Sequence, residues 1–328
     1  MLTTNTVPSR GRSGFTLIEL MVSVAILALL VVVLASIFGG VSQTWQMGQS
    51  NSERLQNIRV ITGFISGELR AALLPVNRSD KGSLQFIVNP TDISPTFRNP
   101  DAIFWQAPVA ANQELTDVAQ VGYFVKWDMT MPDNPRPILC RMNVSKTIGG
   151  SNFLIYSQAG GTVPWLSDSL LNAVAPGDKA NAYEGLVAEN VVALFIESRD
   201  AKGKPITNSY AGGVFLKTDS GFDSRQGFTD ASGVKSADFT DAGGTKAPLC
   251  VLPPIVKLSF VLIDSRSVNK IGVAEKNALT GLANTIAQRS PKGDASDFVT
   301  AALGMPALNA ISGSLRAYQT EINLLNAQ

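Results

Sequence analysis

The chain has 328 residues, a formal net charge of +1 and no histidine. A net charge so close to zero gives no electrostatic reason to expect binding to nucleic acid or to an anionic surface. The lack of histidine excludes Ser-His-Asp and Cys-His catalysis and every histidine-ligated metal site, so the composition predicts a protein that is not an enzyme. The hydrophobic share of 45% is ordinary for a globular protein with one added membrane span.

The amino-terminal segment joins a short basic region to a long apolar run. Arg10 and Arg12 precede Gly14, and residues 15–38 are apolar except for Glu19 and a few small polar residues. As a helix this run would be about 36 Å long, which is enough to cross a bilayer core of about 30 Å. The two arginines predict that the amino terminus stays in the cytoplasm and that the remainder lies across the membrane.

The position of Gly14 distinguishes this segment from a secretory signal peptide. Such a peptide carries its small-residue cleavage site after the apolar run, whereas Gly14 lies before it. Cleavage there would remove residues 1–14 and retain the apolar helix. An ionisable side chain in a membrane segment is by default a functional hypothesis. The alternative is a simple anchor in which Glu19 lies at the headgroup level and has no role.

The sequence GFTLIEL at residues 14–20 resembles the prepilin signal of type IV pilins and type II secretion pseudopilins. The resemblance implies that a prepilin peptidase cleaves the Gly14–Phe15 bond and methylates the new amino terminus at Phe15. It also implies that Glu19 meets the ammonium group of Phe15 on a neighbouring subunit in a filament. The implied partners are the prepilin peptidase, other pilins or pseudopilins and an inner-membrane assembly platform. The implied location is the bacterial inner membrane, crossed once, with a periplasmic domain, followed by a filament or the cell surface.

The helix is predicted to continue beyond the membrane segment. After an interruption at Gly39 and Gly40, residues 41–74 carry one apolar face, and Pro75 ends the pattern. The face consists of Leu55, Ile58, Ile61, Ile65 and Leu69. Charged residues fall largely away from it: Glu53, Arg54, Arg59, Glu68 and Arg70. The sequence therefore predicts a helix over residues 15–74, with a transmembrane part (15–38) and an amphipathic part (41–74).

Residues 76–266 change to short β-type runs separated by Pro, Gly, Asn and Asp, which predicts an antiparallel, β-rich periplasmic domain. The predicted strands are SLQFIV, AIFWQA, VGYFVKW, ILCRM, FLIY, VVALFIES and IVKLSFVLID. The succession VGYFVKW, ILCRM, LVAENVVALFIESRDAKG and LPPIVKLSFVLID is similar to J-type minor pseudopilins and PilW-like minor pilins. This second resemblance covers roughly residues 120–265 and implies a minor subunit. Chains of similar layout also occur in lineage-restricted export cassettes, which are one setting for such a subunit.

Two cysteines, Cys140 and Cys250, fall in predicted strands. An exported compartment permits a disulfide between them, and two buried thiols are the equal alternative.

The loop at residues 217–246 is rich in Asp, Gly, Ser and Thr, and its carboxylates include Asp219, Asp223 and Asp230. Oxygen-rich loops can hold calcium, but the spacing does not fit an EF-hand, so no cofactor is predicted and calcium is kept as a weak alternative.

The carboxyl-terminal region, residues 267–328, is predicted to be helical. One helix is expected around Val273–Ala287, and a second begins near Pro306, since its apolar residues recur at spacings of three and four. These apolar residues are Leu308, Ile311, Leu315, Tyr318, Ile322 and Leu325. The helices are expected to pack on the sheet, the alternative being an apolar face for a partner helix.

Taken together, the sequence predicts an α+β fold in which a long amino-terminal helix packs on an antiparallel sheet with added carboxyl-terminal helices. The resemblance implies a structural assembly subunit, a minor pilin or pseudopilin. Two alternatives stay open: a DNA-uptake minor pilin, and a membrane-anchored binding or adhesin module that uses exposed Trp105, Trp127 and Trp165.

Overall fold

The computed structural model is an α+β structure. It describes residues 16–73, 85–90, 93–108, 118–144, 165–174, 185–206, 210–211, 214–215, 221–224, 238–240, 246–248, 250–289, 291–324 and 327. The predicted strand FLIY at residues 153–156 and most of the loop at residues 217–246 lie outside these ranges.

The contacts divide the chain into two compact units, Met1–Glu53 and Arg54–Gln328. The first helix, α1, runs over Leu17–Arg70 and is 54 residues long. It is continuous through Gly39 and Gly40, so the predicted interruption there is not observed. A glycine costs a helix interior about 1 kcal/mol, which lowers stability without forbidding the helical conformation.

The second unit contains the strands and the other helices. Within the described residues, three shorter α-helices follow α1: α2 (Asp168–Ala173), α3 (Val273–Ala287) and α4 (Ala295–Leu303). The longer strands are β1 (Phe86–Val88), β2 (Ala102–Ala107), β3 (Ala119–Asp128), β4 (Arg136–Val144), β5 (Leu186–Glu189) and β6 (Val191–Arg199). Five short strands come next: β7 (Tyr210–Ala211), β8 (Val214–Phe215), β9 (Phe222–Asp223), β10 (Asp238–Thr240) and β11 (Lys246–Pro248). The last two strands are β12 (Ile255–Leu262) and β13 (Arg316–Asn323). Single 3-10 turns lie at Pro95–Phe97, Ser267–Lys270, Pro306–Leu308 and Ser312–Ser314.

Two antiparallel sheets form the framework of this unit. The large sheet has six strands in the order β5-β4-β3-β2-β1-β9, and the small sheet has three in the order β13-β12-β6. The chain passes from one to the other at Asn190, which has a φ of 63° and lies between β5 and β6. Asparagine is one of the few residues that adopt this left-handed conformation readily, so it suits a sharp change of direction.

Three apolar clusters hold the unit together. The central cluster joins the second half of α1 to one face of each sheet, and it includes Ile61, Ile65, Leu69, Trp105, Leu258 and Ile322. A second cluster joins the other face of the small sheet to α3 and α4, with Phe195, Leu279 and Phe298. The third lies on the opposite face of the large sheet and includes Phe104, Phe124 and Leu171 of α2. The predicted apolar face of α1 is thereby confirmed at Ile61, Ile65 and Leu69.

The predictions for the carboxyl-terminal region were correct for one helix and wrong for the other. Val273–Ala287 is a helix, as predicted. The segment after Pro306 is not a continuous helix: it forms two 3-10 turns and then the strand β13, which pairs with β12 over eight residues. Tyr318 and Ile322 are four residues apart, a spacing that also fits alternate residues of a strand, and here both face the central cluster. The open edge of β12 decided between the two structures.

Candidate functional site

The amino-terminal end of α1 is the first candidate site. Gly14 and Phe15 lie outside the described residues. Thr16 directly precedes the helix, and Glu19 lies in its first turn. The Glu19 carboxylate oxygen Oε2 accepts hydrogen bonds from the Thr16 backbone N–H and hydroxyl, each at 3.0 Å. The Glu19 N–H in turn donates to the Thr16 hydroxyl oxygen at 3.3 Å.

These reciprocal bonds form a capping box, in which the side chains at the helix start satisfy backbone donors that have no partner inside the helix. The sequence analysis did not single out Thr16. The signal was present, because a Ser or Thr followed three residues later by Glu, before an apolar run, is typical of such a cap. The geometry therefore gives Glu19 a local role: it closes the first turn of α1.

The helix that follows is able to span a membrane by its length and composition. Within the described residues, Leu17–Gln46 forms one such segment of 30 residues, whose most apolar stretch of 18 residues has a mean hydropathy of 3.0 and is not buried. Its apolar side chains are exposed all round the helix, including Leu17, Leu30 and Phe38. A helix that is apolar on every face needs an apolar environment, either lipid or other helices.

A second candidate site joins α1 to the large sheet. The Glu68 carboxylate accepts hydrogen bonds from the Tyr123 hydroxyl at 2.5 Å and from the Arg141 guanidinium, whose Nε lies 3.0 Å from Oε1. The Trp105 indole N–H donates to the Glu68 backbone carbonyl at 3.2 Å. The Trp105 and Tyr123 rings stack with centroids 5.7 Å apart. One residue of the helix therefore meets three side chains from three neighbouring strands.

The side chains of Glu68 and Arg141 are each only 12% exposed, so the pair is largely removed from water. Burial raises the pKa of Tyr123 far above its usual value, and the nearby Glu68 charge adds to the effect. The Tyr123 hydroxyl is therefore a fixed donor to the carboxylate at any ordinary pH. Glu68 was predicted to lie largely away from the apolar stripe of α1, yet its carboxylate contacts the sheet, and the helical pattern could not show these partners because they lie on other strands.

The two cysteines do not form a disulfide. Both are buried thiols, and burial raises the pKa of Cys140 to about 12. Cys140 lies on β4, whereas Cys250 precedes Val251, whose N–H donates to the Ser224 carbonyl just after β9. Four strand spacings separate β4 from β9, which is about 19 Å. A disulfide needs Cα atoms within about 7 Å, so the predicted alternative of a bridge is wrong for this structure.

The proposed calcium loop lies mostly outside the described residues, as do Asp219 and Asp230. Asp223 lies on β9 and pairs with Ile87 of β1. In the part of the chain that the structure covers, no group of three or more His, Cys, Asp or Glu side chains could hold a metal ion.

The three tryptophans expected to be exposed are not. Trp105 is fully buried, Trp165 is 3% exposed and donates its N–H to the Gln85 side-chain oxygen, and Trp127 packs against the second cluster. Large aromatic side chains contribute much of the buried apolar area of a core, as Trp105 on β2 and Trp165 before α2 do here. The binding-module alternative loses the residues on which it depended.

Comparisons with known proteins give one finding. Residues 9–35 match the model of the prokaryotic N-terminal methylation motif. Searches of curated proteins and of solved structures found no match. The matched residues contain Gly14 and Phe15, the capping pair Thr16 and Glu19, and the start of the exposed apolar helix. The chain therefore carries the prokaryotic N-terminal methylation motif on the segment whose first helical turn Thr16 and Glu19 close.

Proposed function

We propose that this chain is a minor pilin or pseudopilin, a structural subunit of a filament of the type IV pilus or type II secretion kind. The observation that carries the proposal is the methylation motif at residues 9–35, which includes the start of a helix that is apolar on every face. The role is assembly and not catalysis. On this proposal a prepilin peptidase cleaves after Gly14 and methylates the amino group of Phe15.

The size of the second unit, Arg54–Gln328, supports a minor subunit over a major one. A bulky folded unit on every subunit would crowd a densely packed fibre, whereas it is accommodated at a few positions. The sequence segments that resemble J-type and PilW-like subunits lie on β3, β4, β5–β6 and β12. We assign the chain to that group because of this resemblance.

The proposal gives Glu19 a second role once the amino terminus has been cut. Both Thr16 bonds end on Oε2, and among the described residues no hydrogen bond reaches Oε1. We expect Oε1 to meet the ammonium group of Phe15 on a neighbouring subunit when helices assemble. Two opposite charges in a dry bundle attract strongly, and each is costly alone, so the pair would set the axial register between subunits.

Processing is tested by expressing the full chain with a prepilin peptidase and measuring the intact mass. The expected product lacks residues 1–14 and carries one added methyl group. Gly14→Ala should block both changes. An unprocessed wild-type chain in the presence of an active peptidase would contradict the proposal.

Assembly is tested with Glu19→Ala in a cell that assembles the filament. This variant should still be cut and methylated, because the change lies after the cleaved bond, but it should no longer enter filaments. Ser23→Ala is the matched control one turn along, since the Ser23 hydroxyl only donates to the Glu19 carbonyl within the same helix. Incorporation of Glu19→Ala at the wild-type level would refute the pairing.

A further inference from the structure

The outer edge of the small sheet is an open strand. β13 occupies one end of the order β13-β12-β6, and its eight residues pair with β12 in one register without a bulge. Among the described residues, no strand pairs with its other side. Open edges of this kind present backbone donors and acceptors to another chain, and proteins that avoid such pairing use charged side chains, especially Lys, or Pro or bulges. β13 contains neither Lys nor Pro, and its charged residues are Arg316 and Glu321.

The hydrogen-bond pattern shows which groups face outward. The Leu324 N–H donates to the Pro254 carbonyl at 2.9 Å, which makes these two residues a hydrogen-bonded pair. Such pairs alternate along an antiparallel ladder, so Ile322, Thr320 and Tyr318 also bond inward to β12. The backbone groups of the odd-numbered residues point away from β12: Ala317, Gln319, Glu321 and Asn323.

The strand complements a second copy of itself. If two β13 strands pair antiparallel so that Thr320 lies opposite Thr320, then Gln319 lies opposite Glu321, and Tyr318 lies opposite Ile322. In this register the outward groups of Gln319 and Glu321 bond to each other across the edge. Two of the opposed pairs are of a favourable kind, Thr with Thr and aromatic with β-branched. In the third pair the Gln319 amide faces Glu321, whose Oε1 also accepts a hydrogen bond from Arg199 of its own chain at 2.7 Å. No charge lies opposite a like charge.

We propose that the chain forms a twofold dimer through this edge, in which two small sheets join into one sheet of six strands. The partner is therefore a second copy of this chain. The inference depends only on the open edge and on its self-complementary sequence, and it is independent of the role proposed for the amino-terminal motif. A twofold contact uses the same surface on both subunits, as this pairing does.

The register gives a direct cross-linking test on the full-length chain in detergent. Thr320 would be a non-hydrogen-bonded pair with its own copy, where Cα atoms are about 4.5 Å apart, within the range that a disulfide spans. Thr320→Cys should therefore form a disulfide-linked dimer on mild oxidation. The natural cysteines do not interfere, since Cys140 and Cys250 are both fully buried.

Thr300→Cys is the matched control, because Thr300 is an exposed threonine on α4. It should give no more cross-linked dimer than the wild type. Equal cross-linking of the two variants, or none from Thr320→Cys, would overturn the proposal.

A charge-swap pair tests the same register without cysteine. Gln319 is exposed and its side chain lies opposite Glu321 of the other copy, so Gln319→Lys should strengthen the dimer and Gln319→Glu should weaken it. Because each dimer contains the pair twice, we expect the dissociation constant to move about two- to thirty-fold in each direction. Sedimentation equilibrium in one detergent measures this, and association through the apolar helices is the same in both variants. A chain that stays monomeric, or two variants that shift the same way or not at all, would refute the dimer.

Discussion

At the residue scale, the Glu68 side chain joins α1 to the large sheet. It lies in the last turns of α1 and is held by Tyr123 and Arg141, while its backbone carbonyl accepts from Trp105. A buried ion pair adds little net stability by itself, but the loss of one partner leaves an uncompensated charge. This carboxylate therefore adds a polar contact to the apolar packing that holds the last turns of α1 on the large sheet.

Glu68→Gln should lower the free energy of unfolding of the second unit by about 3 kcal/mol, because it breaks the buried ion pair between the Glu68 carboxylate and the Arg141 guanidinium. Urea unfolding of the full chain in detergent, followed by tryptophan fluorescence, measures this value, since Trp105 lies against the site. Arg70→Gln is the control: Arg70 is exposed two residues along the same helix, and its change should stay within about 0.5 kcal/mol. Equal effects of the two variants would show that the Glu68 network is not a stabilising contact.

At the scale of elements, β13 shows how tertiary context overrides a local pattern. The apolar spacing in residues 306–325 suits a helix, yet the segment after Leu315 completes the small sheet beside β12. A strand buries alternate residues, so the exposed Glu321 directly precedes Ile322, which is 1% exposed and belongs to the central cluster. The edge of β12 would otherwise present unpaired backbone groups, whose burial without partners is costly.

If residues 316–323 form a strand, substitution of Ile322 should lower stability much more than substitution of its neighbour Asn323. Ile322→Ala should destabilise the second unit by about 2–5 kcal/mol, because it removes buried methyl groups and leaves a cavity in the central cluster. Thermal unfolding with calorimetry measures this loss. Asn323→Ala is the comparison, since Asn323 is exposed and should change stability by about 0.5 kcal/mol or less. Similar losses at the two positions would argue against the strand.

At the scale of the whole molecule, the division after Glu53 separates a unit with exposed apolar side chains from a unit that buries its apolar side chains in a core. The first unit contains the exposed apolar helix, and all members of the three clusters in the second unit come after residue 57. The second unit thus contains its own core, which is the usual condition for a domain to fold independently.

A chain that begins at Arg54 should therefore be soluble without detergent and fold as it does in the full protein. We expect a cooperative thermal transition within a few degrees of that of the full chain, because no cluster residue is removed. Near-ultraviolet circular dichroism provides the second measurement, since the stacked rings of Trp105 and Tyr123 give a signal only when packed. Loss of that signal in the shortened chain would show that residues before Arg54 contribute to the core.

Much of this protein follows from its sequence, for identifiable physical reasons. The strands AIFWQA and VVALFIES and the helix Val273–Ala287 were predicted close to their observed bounds, because each carries a strong local period or composition. The amino-terminal motif was equally clear, since it depends on the order of a few neighbouring residues. What depends on distant partners could not be predicted in this way: the Glu68 network, the burial of the tryptophans and the separation of Cys140 from Cys250.

The sequence by itself determined the apolar helix, the methylation motif and the antiparallel character of the domain, because these are properties of adjacent residues. Only the tertiary structure decided that residues 316–323 form a strand, that Glu68 is buried, and that the sheet carries an open edge at β13. The reason is the same in each case. Local periodicity shows which side chains of a segment should be buried together. Which residues bury them, and which backbone groups stay without a partner at a sheet edge, depends on which segments meet in the fold.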